Sequence, residues 1–416
     1  MNKTQTLLPC WPVLICGLFL SACGVQGIPA WDSEVVRPAS TMIAGGLTFF
    51  STGKAATQIP AWEFQDPSVG DAGNLPPQTG QDTNITLAKN VGQDGVRECC
   101  RVYFTRPAGT DDANIWSKDI LYALIGAINQ SQSDLAIAIY MLDRNDVGEA
   151  ILAASRRGVR VRMVTDEDSL GQSITLQKLQ ETGISMVSDH NSALMHHKFM
   201  VVDQKGVWSG SYNWTSSCTF RNDNNAIYIE SDQLAQDYLQ EFDEMYYNKH
   251  FGEEKRNRTP YPYVTVSNAP IEVCFSPPGK CAEKIAKAVS RAQKSIRFMA
   301  FAFTSDRITE ALKERQRAGI DIAGVIETYQ SDKPGGDFAA FQNHKMNVLL
   351  DGNPYNMHHK VFILDEQTVI LGSFNFTRSA DTANDENLLI IDDQEIASLY
   401  LDEFERVYAQ AQNAAR

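Results

Sequence analysis

LMHHKFMVVD (194–203) and NMHHKVFILD (356–365) are one segment written twice, 162 residues apart. Working outward, the two copies keep matching. Downstream, GSYNWTSS (210–217) pairs with GSFNFTRS (372–379), and NDNNAIYIE (222–230) with NDENLLIID (384–392). Upstream, at an offset of 161, the apolar runs LAIAIYMLD (135–143) and IRFMAFAFT (296–304) read as buried strands. VGEAILAASRRG (147–158) and ITEALKERQRAG (308–319) follow, with apolar residues at helical spacing and a terminal glycine that stops each helix. VRVRMVTD (159–166) and IDIAGVIE (320–327) complete a strand–helix–strand unit, whose strands run parallel. Amphipathic helices close the copies at 233–247 and 394–408, and a further helix precedes each at 118–130 and 282–293. An internal repeat of this length predicts two equivalent α/β halves, 98–252 and 271–416, joined by a linker at 253–270.

Both copies read H-x-K-x4-D-x6-G-S-x-N. The first places His196, Lys198, Asp203, Gly210, Ser211 and Asn213; the second places His358, Lys360, Asp365, Gly372, Ser373 and Asn375. Residues two apart on a strand share a face. His196 and Lys198 therefore point together, with His197 on the other side, and His358, Lys360 and His359 repeat the arrangement. These side chains suit a phosphodiester. One imidazole attacks phosphorus and a second protonates the leaving oxygen. Two lysines, with the Ser and Asn donors, neutralise the non-bridging oxygens and the charge of a five-coordinate transition state. A lone His-x-Lys would be read as a structural pair, but two copies with matching flanks point to a site. The seven histidines form no HxxxH or HExxH pair and the cysteines no CxxC, so neither a metal nor another cofactor is predicted.

The doubled pattern resembles the HKD signature of the phospholipase D superfamily, and the resemblance covers roughly residues 98–416. The compact halves and the phrase GSFNFTRSADTANDENLLII (372–391) are most similar to the bacterial endonuclease and mitochondrial cardiolipin hydrolase branch. The resemblance implies an α/β fold of two pseudo-two-fold related halves. Each half is a mixed β-sheet flanked by helices, and the active site lies at their interface. It further implies a phosphohistidine intermediate, with Lys198, Lys360, Ser211, Asn213, Ser373 and Asn375 around the phosphate. Asp203 and Asp365 lie an odd number of residues from their histidines, so an orienting role at the strand end is expected of them. Family members often hold the imidazole by its Nδ1 with a downstream acid. Glu386 occupies that place 28 residues after His358, whereas the equivalent after His196 is the amide Asn224. A carboxylate partner favours a protonated ring. On that argument His358 is the general acid and His196 the nucleophile, the order common in two-copy relatives. The aromatics after each motif, Tyr212, Trp214, Phe374 and Phe376, are expected to pack in the core.

The N-terminus adds an expectation about location. Lys3 precedes an apolar stretch, LLPCWPVLICGLFL (7–20), which ends in Leu20-Ser21-Ala22-Cys23. This resembles a signal peptide (1–22) with a bacterial lipobox, in which Cys23 is lipidated, and Gly24 fits outer-membrane sorting. Residues 23–97, rich in Gly, Pro, Thr and Gln, read as a lipid-anchored flexible extension in which Phe49, Phe50, Trp62 and Phe64 are candidates to dock on the body. In an exported protein disulfides are expected, and Cys274 and Cys281 form a candidate pair; Cys99, Cys100 and Cys218 complete the set beyond the lipobox.

The net charge of −14 does not steer the protein toward polyanions. The first expectation is therefore a phospholipase D acting on membrane glycerophospholipid as a catalytic monomer. An exported nuclease is the alternative, with Arg156, Arg157, Arg160, Arg162, Arg315 and Arg317 as candidates for a basic groove. An inactive envelope structural or binding lipoprotein is a third reading, opposed by the intact motifs.

Overall fold

The computed structural model describes residues 100–107, 119–331 and 335–415. The lipobox, Cys23, Cys99 and the extension through residue 97 lie outside them.

The first half begins with β1 (Cys100–Phe104) and α1 (Asp119–Gln130). The strand–helix–strand unit follows as β2 (Asp134–Ile139), α2 (Asn145–Arg156) and β3 (Arg160–Thr165). Short helices α3 (Glu167–Gln172) and α4 (Ile174–Glu181) lead to β4 (Ser185–Ser188). The motif strands are β5 (Lys198–Val202) and β6 (Gly206–Gly210), then α5 (Ser216–Phe220), β7 (Asn225–Glu230) and α6 (Asp232–Tyr246). The second half opens with a hairpin, β8 (Tyr263–Val266) and β9 (Ala269–Ser276). It then repeats the order: α7 (Cys281–Arg291), β10 (Ser295–Ala300), α8 (Asp306–Arg317), β11 (Asp321–Ile326), α9 (Thr328–Ser331), α10 (Phe338–Asn343) and β12 (Asn347–Leu350). β13 (Lys360–Leu364), β14 (Thr368–Gly372), α11 (Arg378–Thr382), β15 (Glu386–Asp392) and α12 (Gln394–Ala414) complete it.

Both sheets are mixed. The first has the order β1-β7-β6-β5-β2-β3-β4, and the second β12-β11-β10-β13-β14-β15-β9-β8. In each, the βαβ strands pair in parallel, while β5 and β13 run antiparallel to β2 and β10. The difference is β8, which falls within the segment read as a linker and adds an eighth strand to the second sheet. Its burial alternates as expected of an edge strand covered on one face.

Period-2 alternation divides the core. Phe199 and Val201 of β5 join Tyr238, Phe242, Val361, Tyr400 and Phe404 in a cluster drawn from both halves, built on α6 and α12. Met200 and Val202 face the other way, onto the α1 and α2 side of the first half. The expected glycine stops hold: Gly158 and Gly319 sit past α2 and α8 at φ +94° and +81°, a conformation that costs glycine little. Cys274 and Cys281 are joined in a disulfide across seven residues, as the short loop suggested.

Candidate active site

Each motif histidine is fixed first through its backbone, by the other half. His196 N–H donates to Asp385 O at 3.0 Å, and Asp385 N–H donates to Leu194 O at 2.8 Å. The mirror pair is His358 N–H to Asp223 O at 2.9 Å and Asp223 N–H to Asn356 O at 2.9 Å. Carboxylates at the ends of β3 and β11 hold the residue before each histidine. Asp166 Oδ2 accepts from Met195 N–H at 3.3 Å, and Glu327 Oε2 from Met357 N–H at 2.6 Å. Burial pushes Asp166 up to about 6, against the pull of the Ser169 and Met195 N–H groups. Sequence reading missed Asp166 and Glu327, although they share one position in the repeat.

This cross-pairing decides the imidazoles. His196 Nδ1 lies 2.7 Å from Glu386 Oε2, and both side chains are fully buried. His358 Nδ1 lies 2.8 Å from Asn224 Oδ1. The expectation that Glu386 serves His358 is therefore corrected: the residue downstream of each motif serves the other half's histidine. The physical reason is the backbone bridge, which sets Asp385 beside His196 and so delivers the next residue, Glu386, to that ring. The Asn224 amide has a defined orientation, because its Nδ2 donates to Cys218 O and Asn222 O. Its carbonyl therefore faces His358. Ser373 Oγ donates to Glu386 Oε2 at 2.6 Å and Ser211 Oγ to Asn224 Oδ1 at 3.1 Å, so the motif serines brace the imidazole holders. The other Glu386 oxygen, Oε1, is buried without a hydrogen bond.

The expected facing holds for the lysines. Tyr140 meets both His196, at 5.0 Å between ring centroids, and the Lys198 ammonium, at 4.9 Å. Phe301 stands in the same relation to His358 and Lys360, at 4.7 Å for each. Lys360 Nζ is also 2.8 Å from His358 Nε2. All four motif side chains are buried. Sequence reading missed Tyr140 and Phe301, which share one position in the repeat and follow directly on β2 and β10. His197 and His359 point the other way, onto Glu241 and Glu403 at 2.8 and 3.0 Å. Asn387 and Asn225 donate to their Nδ1 atoms from the opposite half. Burial drives the His197 pKa well below 6.5, so this ring is neutral.

Asn213 and Asn375 are buried beside the motif strands, and Asn375 Oδ1 has no hydrogen bond. Gly210 and Gly372, at φ +146° and +149°, press against the carbonyls of Asn225 and Asn387, where any Cβ would collide. Asp203 and Asp365 do not join the histidines. At the far end of β5, Asp203 accepts N–H bonds from Gln132, Ser133 and Asp134 at 2.9, 2.7 and 3.0 Å. Asp365 does the same for Gln293, Lys294 and Ser295. Both clamp the entry to the central strand, a positioning role remote from the chemistry. Tyr212, Trp214, Phe374 and Phe376 are fully buried in the two outer cores, as expected. Among the described residues, no three His, Cys, Asp or Glu side chains are grouped to hold a metal ion, and no helix is long and apolar enough to cross a membrane.

Three of the six arginines expected to build a basic groove are engaged in structural contacts instead. Arg160 and Arg162 bind Asp134 at the opposite end of the first sheet, and Arg162 also binds Asp243. Arg157 caps backbone carbonyls at Ile128 and Ser131.

The family model described as "Cardiolipin synthase, PLD-like domain" matches twice, at residues 124–246 and 285–408, together well over half of the chain. A phospholipase D of Rickettsia conorii is 36% identical over 141 residues, 34% of this chain and 70% of that protein. Human mitochondrial cardiolipin hydrolase is 31% identical over 175 residues, 41% of this chain and 61% of that protein. Among solved structures, the phosphatidylserine synthase of Haemophilus influenzae has a TM-score of 0.55 at 12% identity, covering 74% of this chain and 86% of its own, a likeness of fold. With two matched domains and a doubled motif whose parts meet across their boundary, the chain belongs to the phospholipase D superfamily and is a phosphodiesterase of the phospholipase D type.

Proposed function

We propose that the enzyme hydrolyses membrane glycerophospholipids at the head-group phosphodiester, through a phosphohistidine on His196. The observation that carries this reading is the Glu386 carboxylate on His196 Nδ1. It fixes the tautomer that leaves the Nε2 lone pair free to attack phosphorus. The P–O bond to the head group breaks, and His358 gives its proton to the departing alcohol. His358 then takes a proton from water, which attacks phosphorus, breaks the P–N bond and restores His196. Lys198 and Lys360 neutralise the non-bridging oxygens, and the bound anion supplies the charge that lets His358 take up its proton.

The pairing requires a different argument for the roles from the one based on resting charge. A phosphorylated imidazole that keeps its Nδ1 proton is cationic for the whole life of the intermediate. It needs a lasting counter-charge, and Glu386 is that charge. The acid holds its charge only until it yields the proton, and the neutral Asn224 leaves it more acidic. Lipid is favoured over nucleic acid by the net charge of −14, which does not draw in a polyanion. The names of the Rickettsia and mitochondrial relatives point the same way. Cys23 is proposed as the lipid anchor of an exported, envelope-bound monomer. Membrane fractionation of the Cys23→Ser variant tests that part.

The deciding assay uses residues 24–416 in EDTA with phosphatidylcholine and phosphatidylethanolamine vesicles, and in parallel with single-stranded DNA. Head-group release that vanishes in His196→Ala supports the lipid reading. DNA cleavage with silent vesicles reverses it in favour of a nuclease.

A further inference from the structure

Behind the two imidazoles lie two buried charge relays that the proposed chemistry does not use. In the first, His197 binds Glu241 of α6, Glu241 binds Lys255, and Lys255 Nζ lies 2.8 Å from Asp385 Oδ1 of the second half. In the second, His359 binds Glu403 of α12, Glu403 binds Arg406 at 2.7 Å, and Arg406 lies 2.5 Å from Asp223 Oδ1 of the first half. Each relay thus ends on the aspartate whose carbonyl receives the motif histidine's N–H. The next residue after each aspartate, Glu386 or Asn224, holds that histidine's Nδ1.

The two cations do not come from matching places in the repeat. The residue equivalent to Arg406 is Glu244, of opposite charge. Lys255, from the segment after α6, occupies the place instead, with its side chain fully buried. One fold position has therefore received a cation from two unrelated sequence positions. Simple neutralisation of Glu241 would need no contact with the opposite half, yet both cations make one. Burial works against the Lys255 ammonium, but Asp385 and Glu241 outweigh it and hold its pKa above the usual value.

We infer that Lys255 and Arg406 are positioning residues that set the register of the two half-sites. Lys255 aligns Glu386 on His196 through Asp385, and Arg406 aligns Asn224 on His358 through Asp223. The inference rests on His196 and His358 being the reacting groups.

The test combines turnover of bis(p-nitrophenyl) phosphate with the proton NMR signal of His196 Nδ1–H, in the full chain labelled with 15N-histidine. The signal is assigned by its loss in His196→Ala. In Lys255→Met, kcat is expected to fall at least tenfold with KM within about twofold, and the Nδ1–H signal to move or broaden. Lys255→Arg should restore most of both. Asp385→Asn, which keeps the side-chain size, should reproduce the loss and serves if Lys255→Met does not fold. A folded Lys255→Met or Asp385→Asn enzyme with native kcat and an unmoved signal, changed only in melting temperature, would overturn the inference. His196→Ala in the same assay reports on the site itself: turnover that survived it would refute the reading of the site, independently of the Lys255 result.

Discussion

Glu386 follows His358 by 28 residues, yet its carboxylate lies 2.7 Å from Nδ1 of His196, in the other half of the chain. The ring it serves is set by the backbone bridge between Asp385 and His196, and sequence distance has no part in it. Glu386→Gln keeps the shape and removes the charge that would face a phosphorylated imidazole. A hydrogen bond to a charged group is worth about 1.5–3 kcal/mol, so turnover is expected to drop by roughly 10- to 100-fold. Rapid quench into alkaline denaturant, which preserves the acid-labile P–N bond, should show less phosphoenzyme at steady state with a labelled diester, and peptide mapping at alkaline pH should place the label on His196. Label on His358 would reverse the two roles.

Tyr140 packs on both members of the first His–Lys pair. Phe301 makes the same two contacts in the second half with no hydroxyl, so the ring face is what the two half-sites share. Tyr140→Phe should hold kcat within about threefold, since a cation over either ring gains comparable energy. Tyr140→Leu removes a partly desolvated cation–π contact of about 1–2 kcal/mol, so a loss of about tenfold is expected. Equal rates for the two variants would show that the ring contributes nothing to holding Lys198.

Glu403 is buried, and burial alone would raise its pKa; hydrogen bonds from His359 and Arg406 outweigh it and hold the carboxyl down to about 2. A folded pKa below the unfolded value means stability present above about pH 4.5 and lost as pH falls through about 2. The whole shift corresponds to about 3 kcal/mol. Urea unfolding between pH 5 and pH 2.5 should show this loss in the parent and a flatter profile in Glu403→Gln. Parallel profiles for the two proteins would remove Glu403 as the source.

Asp189 shows the opposite sign. Burial and the neighbouring Asp166 push it up to about 8. Its folded pKa lies above the unfolded one, so it costs stability increasingly as pH rises from about 4 toward 8. Asp189→Asn should unfold like the parent near pH 4 and be more stable at pH 7.5 by about 5 kcal/mol. Equal midpoints at pH 7.5 would show that Asp189 is ionised without penalty.

The repeat made most of the fold legible. A strand run, a glycine-stopped helix and the motif strands recur at constant offsets, so register and burial follow from period-2 and period-3.6 patterning. His196, Lys198, His358 and Lys360 were legible for the same reason. The partner of each imidazole was not, because pairing across the halves depends on which backbone edges meet, and no local pattern encodes that. Lys255 escaped notice for a sharper reason. It lies in a polar segment read as a linker, and its equivalent in the other half, Arg406, sits elsewhere in the repeat. Asp203 and Asp365 were legible as strand-end residues, since odd spacing from the histidines turns them away from that face.

The bridge between Asp385 and His196 has a consequence for how such a site can change over time. In an assembly of two identical chains, one substitution alters both imidazole holders at once, and neither can specialise. Here the two holders are separate codons in one gene. Glu386 and Asn224 can then differ, one ring keeping a charge beside it and the other an amide, and a symmetric scaffold acquires a direction for the reaction. Cutting the chain between residues 256 and 262 should accordingly yield two fragments that are silent alone and recover turnover only when mixed.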